Sequence, residues 1–279
     1  MYILFDIGGT KMRLASSDGE SLLKTVILDT PKNFEEGIRL FKKAALELAG
    51  AETIEKAAGG IAGPLDKEKS TLLRSPHLPG WVDRPLWQKL SETLNAPVFI
   101  ENDSALVALG EATQGAGKGF NIVAYLTIST GVGGARIVGG KIDNNSFGFE
   151  PGHQIIDPGN ALCRTCENGE LESYVSGAAF EKRFGKKPYD VTDSKIWEEM
   201  ARFLALGLHN SIVHWSPDVV VLGGSMMKEI GIPIDRVKYH LEKTLSIFSV
   251  LPKIKKAELG DLGGLYGATE YLKTKTKEV

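Results

Sequence analysis

The chain has 279 residues, 42% apolar and 24% charged, enough to bury a substantial core and to divide into two domains. A formal net charge of −2 gives no electrostatic footprint for nucleic acid, and no apolar run approaches the roughly 20 residues of a membrane span. Two cysteines cannot build a disulfide framework, and Met1–Phe5 lacks the basic start of a signal peptide, so the expectation is a cytoplasmic protein that engages neither nucleic acid nor membrane.

The first element is a β-hairpin over Ile3–Leu14, with Asp6 at its mouth and Gly8-Gly9-Thr10-Lys11 at its tip. A strand near Leu22–Ile27 extends it. Asn33, with Glu36 at the capping-box position, starts a helix that buries Phe34, Ile38, Phe41, Ala45 and Leu48. Ala57–Ile61 reads as a short buried strand ending in the turn Ala62-Gly63-Pro64-Leu65-Asp66, and Arg84–Leu94 as a helix. Pro97–Glu101 is a strand ending in Asn102-Asp103, and Ser104–Gly115 the helix after it. The plan then repeats. Ile122–Val138 forms a second hairpin with Thr130-Gly131-Val132-Gly133-Gly134 at its tip. Asn145–Glu170 is rich in Gly, Pro and Asn, holds His153 and both cysteines, and reads as an irregular functional segment. A long helix spans Ser194–His214, a buried strand Asp218–Leu222 ends in Gly223-Gly224-Ser225, and a last helix begins near Gly264.

Two glycine-tipped hairpins suggest one nucleotide held between two similar halves, because bare backbone N–H groups at such tips close on phosphate. Gly8, Gly9, Thr10, Thr130, Gly131, Gly133 and Gly134 would wrap it. Lys11 either reaches a phosphate or faces solvent. Asp6 can hold Mg²⁺ or simply form a turn. Asp103 follows the C-terminal end of a parallel-type strand, where open α/β sheets place ligands. It can act there as a general base on a hydroxyl, or merely cap the helix. Glu150, His153 and Glu172 can hydrogen-bond sugar hydroxyls or be ordinary surface groups. Gly223-Gly224 can let a flat nucleoside approach the backbone or serve as a plain turn.

Taken together, these motifs resemble the ROK family of bacterial sugar kinases and repressors. Asp6–Lys11 resembles its opening phosphate motif and Thr130–Gly134 its second. Gly63–Asp66, Pro76–Trp81 and Glu101–Asp103 are similar to its sugar-binding and catalytic elements, Glu150-Pro151-Gly152-His153 to its Glu-x-Gly-His signature, Val221–Gly224 to its adenosine-side turn and Leu265–Ala268 to its closing helix. The resemblance implies an actin-like, duplicated α/β ATPase fold with two domains and a central cleft: residues 1–112, completed by the helix 266–279, and residues 113–265. It implies phosphoryl transfer from ATP with Mg²⁺ to a hexose, most simply glucose at the 6-position, with Asp103 as base. Gly63, Asn102, Asp103, Glu150, His153 and Glu172 would bind the sugar, and Asp6, Gly8–Lys11, the second hairpin tip and Gly223-Gly224 the nucleotide.

Alternatives within the family are fructose or an N-acetylhexosamine as substrate, polyphosphate as donor, or a sugar-sensing regulator without kinase activity. The family's repressors carry a helix-turn-helix ahead of this fold, whereas this chain opens on the first strand, so a kinase is expected. Homodimers are usual in the family. Two departures stand out. His77 replaces the family's usual Asn. The zinc loop is altered too: in Cys163-Arg164-Thr165-Cys166-Glu167-Asn168-Gly169-Glu170, Thr165 and Glu170 stand at two ligand positions, which argues against a structural zinc.

Overall fold

A computed structural model describes residues 1–161 and 168–276. The chain divides into two compact units. Unit 1 holds Met1–Gln114, Asn144–Gly148 and the segment from Asp261, and unit 2 holds Gly115–Asp143 and Phe149–Gly260.

Unit 1 opens with strands β1 (Tyr2–Ile7), β2 (Lys11–Ser17) and β3 (Leu22–Asp29), an antiparallel meander. Ile3, Leu4, Phe5 and Ile7 of β1 are all fully buried, as a near-continuous apolar run requires of a strand covered on both faces. Helix α1 (Phe34–Ala49) starts at Asn33, whose Oδ1 accepts the Glu36 N–H at 3.0 Å. Its expected face is buried, apart from a half-exposed Leu48, and Phe41 meets Phe5 edge-to-face at 5.3 Å. Strand β4 (Lys56–Ile61) runs parallel to β1. Helix α2 (Leu86–Leu94) begins two residues later than expected, because Pro85 occupies the N-cap. Strand β5 (Val98–Asn102) runs parallel to β4 and passes directly into α3 (Asp103–Thr113).

Unit 2 contains β6 (Ile122–Ile128), β7 (Val132–Val138) and the short β8 (Lys141–Ile142), again an antiparallel meander. The irregular segment follows, fastened by an Ile155–Glu170 bridge and by Tyr174 Oη, which donates to Asp157 at 2.6 Å. Burial and that hydrogen bond push the Tyr174 hydroxyl up to about 12. Helices α4 (Glu172–Val175), α5 (Gly177–Phe184) and α6 (Ser194–Trp215) precede β9 (Val219–Gly223), and α7 (Ile234–Thr244) precedes β10 (Lys253–Lys256). Of these, α4, α5, α7 and β10 have no counterpart in the sequence-based reading. α4 and β10 are only four residues long, whereas α7 carries Ile234, Val237 and Leu241 at helical spacing, a period that the sequence-based reading passed over. The last helix, α8 (Gly263–Thr276), returns to unit 1 and packs closely on α3. A Cβ on Gly267 would lie 1.7 Å from the Leu106 carbonyl oxygen.

The sheet orders are β3-β2-β1-β4-β5 and β8-β7-β6-β9-β10. In each, three antiparallel strands are followed by two strands parallel to the first. The duplication expected from the paired hairpins is therefore a duplication of whole-sheet topology. Each unit has its own core, around Phe5, Phe41 and Trp81 in unit 1 and around Phe180, Phe203 and Leu208 in unit 2.

Candidate active site

In unit 1 the first hairpin tip is closed by Gly8 N–H donating to Lys11 O at 2.9 Å. The strap Thr30–Lys32 holds it. Thr30 N–H donates to Thr10 O at 2.9 Å, and Lys32 Nζ donates to Gly9 O at 3.1 Å and to His77 O at 2.9 Å. Trp81 Nε1 donates to Pro31 O at 2.9 Å, so the strap ties the hairpin to the segment Pro76–Trp81. No side chain fits on Gly9, since its Cβ would come within 2.3 Å of His77 Cβ.

Lys11 Nζ, beside the tip, pairs with Asp29 at 2.6 Å, both side chains exposed. Lys32 is the cation at the tip, and the sequence-based reading misses it because it lies in a loop 23 residues away with no local motif. Asp6 is largely buried, 3.4 Å from Arg13. Burial raises its carboxyl above the ordinary range, and the Arg13 guanidinium opposes that. Arg13 Nε is buried with no hydrogen-bond partner among the described residues. A bare-backbone tip, a carboxylate and an orphaned guanidinium nitrogen are a donor set that fits a polyphosphate and its hard divalent cation.

The same unit places Asp103 at the C-terminal end of β5. The helix cap is Asn102, not Asp103: Asn102 Oδ1 accepts the Ala105 N–H at 3.1 Å, and its Nδ2 donates to Gly63 O at 3.1 Å. Asp103 is the first helical residue, with Oδ1 accepting the Ser104 N–H at 2.7 Å. The N-cap position itself thus belongs to Asn102, while Asp103 satisfies a further backbone N–H of the first turn. Gly60 on β4 makes room for it, since a Cβ there would lie 2.8 Å from Asp103 Cα. Gly63 has φ +128°, and a side chain there would strike Arg74 O at 2.4 Å.

In unit 2 the second hairpin tip, Thr130–Gly134, is braced by α4 and α5. Gly177 N–H donates to Ser129 O at 2.7 Å and Ala178 N–H to Thr130 O at 3.1 Å. Glu172 Oε2 accepts the Val132 N–H at 2.7 Å and lies 2.6 Å from where a Gly131 Cβ would be. Glu150 and His153 flank a short 3₁₀ turn, Pro151–His153, seated against β7: a Gly152 Cβ would meet Val132 O at 2.2 Å. His153 Nδ1 shares a 3.0 Å hydrogen bond with Glu170, the main reason its pKa is raised. Desolvation raises the Glu150 carboxyl, with His153 drawing it down and Glu172 pushing it further up. Glu150, His153 and Glu172 therefore feel one another, and Glu170 joins them as a fourth polar group. Gly223-Gly224 ends β9 against the second hairpin: a Gly223 Cβ would lie 2.5 Å from Tyr125 Oη, Gly224 has φ +94°, and Ser225 Oγ is 3.1 Å from Ser129 Oγ. The predicted adenosine-side turn and the second phosphate motif are thus neighbours. Cys163 and Cys166 lie outside the described residues. Among the described residues no cluster of three or more His, Cys, Asp or Glu side chains is arranged to hold a metal.

A duplicated α/β fold with a glycine hairpin in each half and a carboxylate at a strand end defines an ATPase-like phosphotransferase scaffold. The ROK family model matches residues 2–275, and the chain belongs to the ROK family. An N-acetyl-D-glucosamine kinase of Citrobacter koseri is 32% identical over 305 residues, covering 96% of this chain and 98% of that protein. Among solved structures, a ROK hexokinase from Thermus thermophilus superposes with a TM-score of 0.83 at 30% identity, covering 99% of both chains. A ROK glucokinase from Streptomyces griseus, solved with glucose and AMPPNP, gives 0.80 at 26% identity, covering 97% of this chain and 98% of that one. The fold is that of the actin-like ROK sugar kinases, and among the described residues no helix is long and apolar enough to cross a membrane.

Proposed function

We propose that the protein is an ATP-dependent hexose kinase that phosphorylates glucose at the 6-hydroxyl. One observation carries the reading: β5 runs parallel to β4 and ends at Asn102, the helix N-cap, so that Asp103, the first residue of α3, stands just past the C-terminal end of a parallel strand, where open α/β sheets place their ligands. Asp103 would accept the hydroxyl proton as the sugar oxygen bonds to the terminal phosphorus of ATP and the bond to the β-phosphate oxygen breaks, releasing ADP. Gly63, Asn102, Glu150, His153 and Glu172 would bind the sugar. Glu170 orients the His153 ring through Nδ1. When bound, ATP with Mg²⁺ supplies the phosphoryl group and the charge that stabilises its transfer. Asp6 would hold the cation, and Gly8–Thr10, Thr130–Gly134 and Gly223-Gly224 would hold the nucleotide. Such a transfer needs mainly positioning and electrostatics.

The S. griseus neighbour is a glucokinase solved with glucose, which supports glucose as the substrate, and the C. koseri relative is an N-acetyl-D-glucosamine kinase, which supports an N-acetylhexosamine. A coupled assay over glucose, mannose, fructose, N-acetylglucosamine and N-acetylmannosamine, with ATP or polyphosphate as donor, is the test. Fastest turnover of glucose with ATP is expected, whereas sugar binding without turnover of any of them would point to a sensor. In Asp103→Asn, turnover should fall by about 10²–10⁴ while glucose still binds. Near-normal turnover would remove Asp103 from the role of base.

A further inference from the structure

Residues 66–71 form a tight turn. Lys69 N–H donates to Asp66 O at 3.0 Å, Asp66 N–H donates to Thr71 O at 3.1 Å, and the Asp66 carboxylate accepts from both the N–H and Oγ of Ser70. Lys69 occupies the left-handed position of this turn, with φ 54°. Local preference there is for Gly or Asn, because a side chain in that conformation crowds its own carbonyl. A lysine at such a position invites a reason from beyond the turn.

Its ammonium supplies the explanation. Lys69 Nζ pairs with Oε2 of Glu101, a carboxylate only 5% exposed, and also lies 5.9 Å above the Tyr271 ring. Glu101 Oε1 accepts the N–H of Asn102 at 3.0 Å. A carboxylate in that setting demands a partner, and removing the partner leaves an uncompensated buried charge. Two consecutive residues at the end of β5 are thus tied to one loop: Glu101 through Lys69, and Asn102 through Gly63 O at 3.1 Å. The next residue is Asp103.

We propose that Lys69 is a positioning residue: it neutralises and tethers Glu101, and so fixes the angle at which β5 delivers Asn102 and Asp103 to the substrate. The proposal rests on the kinase reading for its effect on turnover, though the tether itself does not. Lys69 touches no reacting atom, and its influence runs wholly through Glu101.

Lys69→Gly separates this role from a merely local one. Glycine suits the left-handed turn, so a lysine serving only the turn would be replaced without loss. We expect instead that kcat for the best hexose falls about 10–100-fold, the scale on which small misplacements of a reacting group are felt, with the KM for ATP little changed. Amide hydrogen exchange over Asn102–Leu106 should quicken. Lys69→Arg, which keeps the charge, should stay within a few-fold of the unmodified protein. The effects of Lys69→Gly and Glu101→Gln should be non-additive, the double variant being no worse than the poorer single one. If Lys69→Gly does not fold, Glu101→Gln alone, with the turn intact, carries the same two readouts in weaker form. Unchanged kcat in Lys69→Gly overturns the proposal whatever happens to exchange, and unchanged exchange over Asn102–Leu106 overturns the tether. If the unmodified protein phosphorylates no hexose, the kinase reading fails on its own, and exchange still decides whether Lys69 holds Asn102 and Asp103.

Discussion

Glu172 and Glu170 lie two residues apart and make different bonds. Glu172 holds the Val132 amide of the second hairpin, so its loss should disturb nucleotide as well as sugar binding. Among the described residues, the Glu170 carboxylate bonds the His153 ring. Glu172→Ala is therefore expected to raise KM for both ATP and hexose. Glu170→Ala should raise the hexose KM alone, by about tenfold, the scale of one charge-assisted hydrogen bond. Steady-state kinetics with each substrate varied in turn makes the comparison, and equal losses in the two variants would put Glu172 on the sugar side only. The Glu170–His153 bond also orients the imidazole by ordinary hydrogen bonding. Activity should then withstand a strong chelator once Mg²⁺ is in excess, and elemental analysis should find no stoichiometric zinc. About one zinc per chain, lost together with activity, would overturn that expectation.

At the scale of elements, the second hairpin and the α6–α7 pair lend themselves to test. Bulk at Gly9 collides with His77, so a substitution there reports folding rather than nucleotide binding. Gly133→Val on the second hairpin is the better probe, and it should weaken ATP more than hexose. An equal loss of both would indicate general damage. Between α6 and α7, Glu198 accepts from Arg236 Nε and Nη2 at 2.6 and 2.7 Å and from His240 at 2.8 Å. The Arg236 bonds are the main reason its carboxyl falls to about 2 from an ordinary 4.5. A carboxyl lowered on folding adds stability above its unfolded pKa and loses it as pH falls towards the folded value. Glu198→Gln should therefore flatten the decline in stability between about pH 4.5 and 2, seen as a smaller change in thermal midpoint across that window. Partial exposure and salt screening keep the effect modest.

For the whole molecule, each unit carries a separate core and one of the two hairpins. A ligand that binds only the folded chain stabilises it by RT ln(1 + [L]/Kd), about 2.7 kcal/mol at a hundredfold excess over Kd. Glucose should raise the thermal midpoint by several degrees in the unmodified protein and in Asp103→Asn alike. A glucose-induced shift in the former that vanishes in the latter would make Asp103 a binding group first and a base second. Phe41→Ala, which empties the Phe5–Phe41 contact in the core of unit 1, should cost about 3–5 kcal/mol in denaturant unfolding.

Much of this architecture is written locally. The two hairpins, the Asn33 cap and the apolar face of α1 follow from patterns within a dozen residues, because turn chemistry and helical period act over that range. So does the position of Asp103 past a buried strand. What the sequence alone could not determine lies where distant segments meet. Asp103 and Asn102 compete for one helix cap, and only the seating of Asn102 Nδ2 on Gly63 O resolves the competition. Lys11 turns to Asp29 across the β2–β3 register, while Lys32, from the loop beyond, reaches the hairpin tip. Glu170 finds His153 through the bridge that closes the irregular segment, and Lys69 finds Glu101 from 32 residues away. Side-chain partners at such separations depend on strand order and loop path. Those are set by the packing of whole sheets, and no local spacing encodes them.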